Sequence, residues 1–389
     1  MTTTHVYSRW RSIGVAGCVV LATLITTLAA EPDAELTPQQ LADQAAELRQ
    51  VYSKPSNEWP AANVDQGIAF AEIGPLPEVE HPKDNPYSKE KAELGRKLFF
   101  DPRLSGSKQF ACVSCHNPEL GWTDGITASF GHDRQENPRN SMPIMNSAFR
   151  THMFWDGRGK TLEDQVTGPL FATNEMHAEP EDVVKSVAAV KAYRESFKQI
   201  FGVDEIEIQH IAKAIACFER TVVGGRSKFD LFLKGKPDAL SDSAVRGLHL
   251  FRTKARCINC HSGPNFTDEG FHNNGLHGYG RKHQDLGRYE VTKKAEDVGK
   301  FATPSLRNVE RTEPYMHHGL FEIDAVLTMY NAGGFHPKPT PTQKDDPLFP
   351  KTSPILKPLG LSKQEIADLQ AFLFSLTEPK QRMKVELDP

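Results

Sequence analysis

An all-α protein built from two versions of one module, with long loops and an N-terminal extension, is the fold class this sequence predicts. The first observation is a repeat. "KAELGRKLFFDPRLS" and "SAVRGLHLFRTKARC" share a Gly-x-x-Leu-Phe core, at Gly95 to Phe99 and Gly247 to Phe251. Each is followed by Cys-x-x-Cys-His, starting at Cys112 and Cys257. The likeness continues to Pro118 and Thr123-Asp124 in one copy, and to Pro264 and Thr267-Asp268 in the other. Such self-similarity marks one structural unit used twice. The second observation is that apolar residues recur at helical spacing while strand signals are sparse. The third is loop length: the connection over 262–290 exceeds the ~15 residues usual in a compact domain, which suggests a bound group or a functional role.

From the N-terminus, Arg9 and Arg11 precede the uncharged run "IGVAGCVVLATLITTLAA", which ends in small residues before Glu31 and Pro32. This reads as an export signal over 1–30, cleaved near Ala30 and directing the chain to the periplasm. The run is also close to the ~18 residues that suggest a membrane span, so an uncleaved anchor is the alternative. "VAGC", ending at Cys18, resembles a lipoprotein cleavage box, but most of the apolar stretch follows it, which is the wrong side for lipidation. Residues 31–85 form an extension with one helix, "TPQQLADQAAELRQVY", started by Thr37 and Pro38. A tether or surface strap is expected there, with partner docking as the alternative. The first module is placed at 86–240 and the second at 241–389. Helical spacing recurs in "EDVVKSVAAVKAYRESFKQIF", in "IDAVLTMY" and in "SKQEIADLQAFLFSLT", where Ile366, Leu369, Phe372, Leu373 and Leu376 mark one face.

With 38% apolar and 25% charged residues, neither disorder nor a multi-span membrane fold fits. The net charge of -4 becomes -6 once Arg9 and Arg11 are removed with the signal, and no basic stripe advertises nucleic-acid binding. Six cysteines divide as Cys18 in the signal, Cys112 with Cys115, Cys257 with Cys260, and Cys217 alone, which is not a disulfide framework. Cys217 sits among Ile211, Ile215, Phe218 and Val222 at helical spacing, and reads as a small buried hydrophobe rather than a nucleophile.

Cys-x-x-Cys-His is the attachment sequence of c-type haem: two thiols spaced for the two vinyl groups and a histidine, His116 or His261, to ligate the iron. A redox dithiol or half a zinc site are the rivals. Both copies carry the adjacent histidine, which those alternatives do not require. Two motifs imply two haems. What each iron does is decided by its sixth position: ligands on both faces suit electron transfer, an open or openable face binds peroxide or dioxygen.

From about residue 90 onward the chain resembles the bacterial di-haem cytochrome c peroxidase family, which includes MauG-type oxidases. The resemblance is carried by "LGRKLFFDPRLSG", "ACVSCHNPELGWTDG", "PRNSMPIMN", "FWDGR", "PSLRN" and "PYMHHG", with both haem motifs at the family's separation. It implies two cytochrome-c-like domains, an N-terminal peroxidatic one and a C-terminal electron-transfer one. By position, His116 would be the proximal ligand of the peroxidatic haem and His261 that of the electron-transfer haem. His132, in "FGHDRQ", falls where peroxidases have a loop histidine that covers the distal face at rest; a solvated loop histidine is the alternative. Glu175 matches the distal glutamate, with Gln165 and Pro169 as pocket neighbours. A carboxylate in a dry pocket has the raised pKa that proton transfer to and from peroxide requires. Trp155, in "FWDGR", matches the tryptophan between the haems, as an electron relay, a packing residue or both. Asn140, Thr312 and Pro314 match a calcium site at the domain interface, one side-chain and two backbone oxygens.

The distal ligand of the second haem departs from a simple match. Peroxidases have methionine there and MauG-type proteins tyrosine; in "HHGLFEIDAVLTMYNAGG" Met329 and Tyr330 are adjacent. Anchoring on "PYMHHG" selects Met329, whereas the apolar helix face and "YNAGG" select Tyr330, the preferred choice. Thioether ligation raises the haem potential and suits reduction by a small donor; phenolate favours higher oxidation states. The first functional reading is therefore a periplasmic peroxidase that reduces hydrogen peroxide to water with electrons from a small c-type cytochrome or cupredoxin. The second is a MauG-like oxidase acting on a protein or organic substrate, and the third a di-haem electron carrier with no catalysis. A homodimer is what the family resemblance implies for assembly.

Overall fold

The computed structural model describes residues 36–380, 383 and 385–387. The export signal expected over 1–30 lies outside the described residues. Among those described, no helix is long and apolar enough to cross a membrane. Helices run as α1 (Pro38–Tyr52), α2 (Lys89–Phe99), α3 (Leu162–Phe171), α4 (Pro180–Ala189), α5 (Lys191–Phe201), α6 (Ile208–Glu219), α7 (Lys228–Leu233), α8 (Asp242–Arg252), α9 (Tyr289–Thr292), α10 (Ile323–Asn331) and α11 (Lys363–Phe374). Extended structure among the described residues is limited to isolated bridges and one two-residue antiparallel pair, β1 (Phe271–His272) and β2 (Phe301–Ala302), with His272 opposite Phe301.

Local chemistry sets the helix starts. At α1 the Thr37 hydroxyl accepts the Gln40 N–H at 3.3 Å, the Gln40 side chain accepts the Thr37 N–H at 2.8 Å, and Pro38 occupies the first helical position. Ser88 and Ser241 cap α2 and α8 by accepting the N–H of Lys91 and of Ala244, and Ser362 with Glu365 forms the full reciprocal pair at α11. The periodic run after Glu181 is not one helix. It breaks at Val190, which is extended at φ -83° and ψ 116°. In an unbroken helix Tyr193 would sit about 120° around the axis from Val187. The break turns both into the same core.

Among the described residues two large apolar cores stand out. The first gathers Leu94, Leu98, Phe99, Trp122, Leu170, Phe197 and Phe218; the second gathers Phe229, Leu248, Phe251, Phe266 and Phe372. Each is organised by a pair of packed helices, α2 on α6 and α8 on α11. The repeated glycines explain how closely these pairs approach. A Cβ on Gly95 would lie 1.8 Å from the Ala214 carbonyl oxygen, and one on Gly247 1.9 Å from that of Asp368, so neither position tolerates a side chain unless the helices separate. One turn on, Phe99 meets Phe218 edge-on at 5.3 Å, and Phe251 meets Phe372 at 5.2 Å.

The module boundary drawn at residue 240 differs from the packing. Phe229, Phe232 and Leu240, in and after α7, are buried in the second core, because α7 lies against the segment after α11. The extension is built into the second module as well. Tyr52, Trp59 and Ile73 belong to its core, and α1 lies along α8. Arg252, 2% exposed, pairs with Glu72 and donates to the Pro60 carbonyl at 2.7 Å. Farther along, Asn85 donates to Glu163 and to the Lys213 carbonyl, so the strap ends on the first module. The modules are clasped by Arg139, which reaches Asp156 and Asp285 at 2.7 Å each.

Candidate haem sites

Each cysteine pair sits on a single tight turn. In the first, Cys115 and His116 both donate their N–H to the Cys112 carbonyl, at 3.2 and 3.0 Å; in the second, Cys260 and His261 do the same to Cys257, at 3.2 and 2.9 Å. The histidine rings are oriented by matching carbonyls. His116 Nδ1 lies 3.2 Å from the Trp122 oxygen and His261 Nδ1 3.0 Å from the Phe266 oxygen. A carbonyl only accepts, so Nδ1 carries the proton and Nε2 keeps its lone pair for a metal. Trp122 and Phe266 are both left-handed, at φ 67° and 54°, and both fully buried, so each core holds the strained residue that aims this carbonyl. Burial lowers the pKa of both histidines below the ordinary value, which favours the neutral ligating ring.

Above His116 lies a cavity of about 1450 Å³, lined by Cys112, Cys115, His116, Trp155, Gln165 and Glu175 among others. Helix α3 supplies one wall. Leu162, Gln165, Val166 and Pro169, at positions i, i+3, i+4 and i+7, all face it. Glu175 follows on the loop after α3. Burial raises its carboxyl pKa, with Arg158 pulling the other way. His132 is tied to this loop through its N–H, which donates to the Glu175 carbonyl at 2.8 Å. Its ring does not line the cavity; it meets His177 edge-on at 4.4 Å. One residue in the wall escaped sequence reasoning. Glu219, the last residue of α6, is 3% exposed, its Oε2 has no hydrogen-bond partner, and burial pushes its pKa up to about 8. The available signal was an acid continuing the apolar face of α6.

At the second pair, Tyr330 is half-buried. Burial pushes its phenol up to about 12, with the thiols of Cys260 and Cys257 adding to the shift and a hydrogen bond from Asn274 opposing it. Met329 is buried, and adjacent helical side chains diverge by about 100°, so the two point in different directions. Asp268 and His272 pair at 2.6 Å next to Cys260. Burial opposes charge on His272, but Asp268 and Cys260 outweigh it and push its pKa up to about 10.

Between the modules, the Trp155 indole donates to the Asn140 carbonyl at 2.9 Å, and its ring lies 6.5 Å from that of His317. His317 in turn stacks on Phe301 at 3.6 Å and 10°. The Asn140 side-chain amide faces the carbonyls of Ile126, at 2.9 Å, and Thr127, at 3.4 Å. The Thr312 hydroxyl donates to the Val309 carbonyl at 3.2 Å, and Pro314 follows a cis peptide bond.

Two thiol pairs, each with a tautomer-fixed histidine, and a cavity above the first fit two covalently attached haems. They define a di-haem protein of the c type. A family model described as di-haem cytochrome c peroxidase matches residues 89–238. The chain is 41% identical over 302 residues to the methylamine utilization protein MauG of Methylorubrum extorquens, covering 77% of this chain and 81% of that protein. It is 38% identical over 351 residues to cytochrome-c peroxidase IdrP1 of Pseudomonas sp. strain SCT, covering 82% and 89%. A crystal structure of a MauG-like protein associated with microbial copper homeostasis superposes with a TM-score of 0.70 at 33% identity, over 78% of this chain and 93% of that one. The chain belongs to the di-haem cytochrome c peroxidase family, MauG-type proteins included.

Proposed function

We propose that this oxidoreductase reduces hydrogen peroxide to water in the cavity above His116, with Glu175 as the proton-transferring group. The observation that carries the reading is that Glu175 and Gln165 line the same cavity as Cys112, Cys115 and His116. When bound there, the haem supplies the redox-active iron at which peroxide takes up two electrons. The Glu175 carboxylate accepts the proton of the near oxygen and returns it to the leaving oxygen, so that water rather than hydroxide departs. A raised pKa suits both halves of that transfer. The Gln165 carboxamide is a neutral hydrogen-bonding group for the oxygens, and Leu162, Val166 and Pro169 give the wall an apolar stretch. Glu175→Gln is expected to lower peroxide turnover by about 10²–10⁴-fold with both haems still attached. Full activity in that variant overturns the assignment.

A haem held by His261 would supply electrons, and Trp155, which lines the first cavity with its ring 6.5 Å from that of His317 of the second module, is the residue between the two sites suited to pass them on. The donor is a small c-type cytochrome or cupredoxin in the periplasm, to which the Arg9 and Arg11 segment directs the chain. Asn140, Thr312 and Pro314 hold a calcium ion at the interface. The Asn140 amide nitrogen donates to the Ile126 and Thr127 carbonyls, which leaves its side-chain oxygen as the ligand to a hard cation.

A second reading draws on Tyr330. The electrostatic influence of Cys260 and Cys257 on its phenol supports tyrosine over Met329 as the distal group of the second haem, and thus MauG-like oxidation of a protein or organic substrate. Tyr330→Phe should change the second haem's absorption and EPR spectra while Met329→Leu leaves them intact; the reverse pattern assigns the ligand to Met329. Stable near-infrared absorption after peroxide, with poor cytochrome turnover, marks the oxidase. Fast turnover with reduced cytochrome c marks the peroxidase.

A further inference from the structure

We infer that Glu219 is a second acid of the first haem site, whose carboxylate binds a proton from solvent when the haem on Cys112 and Cys115 gains an electron and releases it on reoxidation. The geometry is the starting point. Glu219 ends α6 in the cavity wall that also contains Cys112, is almost wholly buried, and its Oε2 has no partner. The Ser147 hydroxyl, in the wall of the same cavity, is buried and unpartnered too. Leaving such groups unsatisfied is unfavourable, and the Glu175 mechanism gives Glu219 no role that would explain it.

The internal repeat supplies a control. Gly95 packs against Ala214 and Phe218 as Gly247 packs against Asp368 and Phe372, which aligns Glu219 with Leu373. The second module fills this place with a buried leucine, so a cytochrome-type helix pair does not need an acid there. An ionisable group where the scaffold accepts an apolar one belongs to what the first module alone does.

The charged surroundings leave Glu219 available. Its neighbour in the chain, Arg220, is committed to Glu163 of α3 by two hydrogen bonds of 2.7 and 2.9 Å, and these two groups act on Glu219 in opposite directions. From α2, Lys91 acts on Glu163 and Cys217. The Cys112 thiol is the remaining group, and thioether formation removes its ionisation. Burial is the larger influence and raises its pKa into the neutral range, where the charge of a bound haem decides whether the acid is ionised. A ferric haem carries one positive charge more than a ferrous one, so adding an electron strengthens proton binding. By linkage the proton then favours electron entry equally. One electron enters the iron, one proton joins a carboxylate oxygen, and no other bond changes.

The inference rests on a haem seated at Cys112 and Cys115, and not on which donor or substrate is used. Spectroelectrochemical titration of the holoprotein tests it. The midpoint potential of the His116 haem is expected to fall as pH rises across about pH 6–9, and Glu219→Gln should remove at least half of that slope. Glu219→Leu, which installs the second module's own residue, should do the same and guards against misfolding of the first variant. Redox-difference infrared spectra of the wild type should show a protonated carboxyl band gained on reduction and missing in Glu219→Gln. An unchanged slope in both variants, or no slope in the wild type, overturns the proposal. Glu175→Gln separates the two assignments, since it should lose turnover while keeping the slope.

Discussion

The first and second modules place like groups at like crossings. Gly95 and Gly247 admit a partner helix, Phe99 and Phe251 meet Phe218 and Phe372, and the carbonyls of Trp122 and Phe266 hold a histidine Nδ1. Around these shared parts the contents diverge. The first module contributes Glu175, Gln165 and Glu219 to a cavity wall, whereas the second has a half-buried Tyr330 on α10 and Leu373 where the first has Glu219. The scaffold thus fixes the proximal side of each site. Reactivity is written on the distal loops and in which buried position holds an acid. An acid without a hydrogen-bond partner is costly to bury, so Glu219, at a place where the second module has Leu373, is itself informative.

The largest expected effect that would break this comparison is the loss of turnover in Glu175→Gln described above, against little change for a conservative exchange such as Leu373→Met in the second module. Steady-state peroxide assays with reduced cytochrome c decide it. The pH profile sharpens the same point. The proposed role of Glu175 as a base requires its ionised form, and its pKa is raised, so the acid limb of kcat/KM should rise at a pH above the ordinary carboxylate range. A limb at the usual carboxylate pKa would count against it.

Next in size is the strap. Removing Glu72 leaves the Arg252 guanidinium buried without its ion partner, and Glu72→Ala should destabilise the second module by about 3–5 kcal/mol, read by denaturant unfolding. The first haem's spectrum should persist through that transition if the cores unfold separately. Gly95→Ala and Gly247→Ala should each cost about 1–3 kcal/mol by overpacking, and by similar amounts, since the clashes are 1.8 and 1.9 Å. Unequal losses would mean that the two crossings are not equivalent.

The smallest effect concerns Glu219 and stability. Its pKa rises from an unfolded value near 4.5 to about 8 in the folded chain, so the folded state holds the extra proton between them. Any stability that this group contributes is full below the lower value and is lost as pH rises through the higher one. Glu219→Leu should therefore gain stability relative to wild type at pH 8, by about 1–3 kcal/mol, and gain little near pH 4. Thermal unfolding at the two pH values checks the sign.

Much of the skeleton was legible in the residues alone, because its signals are local or repeated. Thr37 and Pro38 announce α1, the Cys-x-x-Cys-His turns need only five neighbours, and Gly95 with Gly247 mark close approaches that one residue type permits. Other features depend on partners distant in the chain. Helical period could not tell that Val190 is extended, since that choice was made by Val187 and Tyr193 both entering one core. The extension gave a helix signal but not a destination, which depends on Arg252, 180 residues from Glu72. α7 joins the second core by tertiary packing, against the order of the chain. The role of Glu219 was hidden for the same reason: its charge is visible in the sequence, but its desolvation comes from a cavity assembled by segments that only the folded chain brings together.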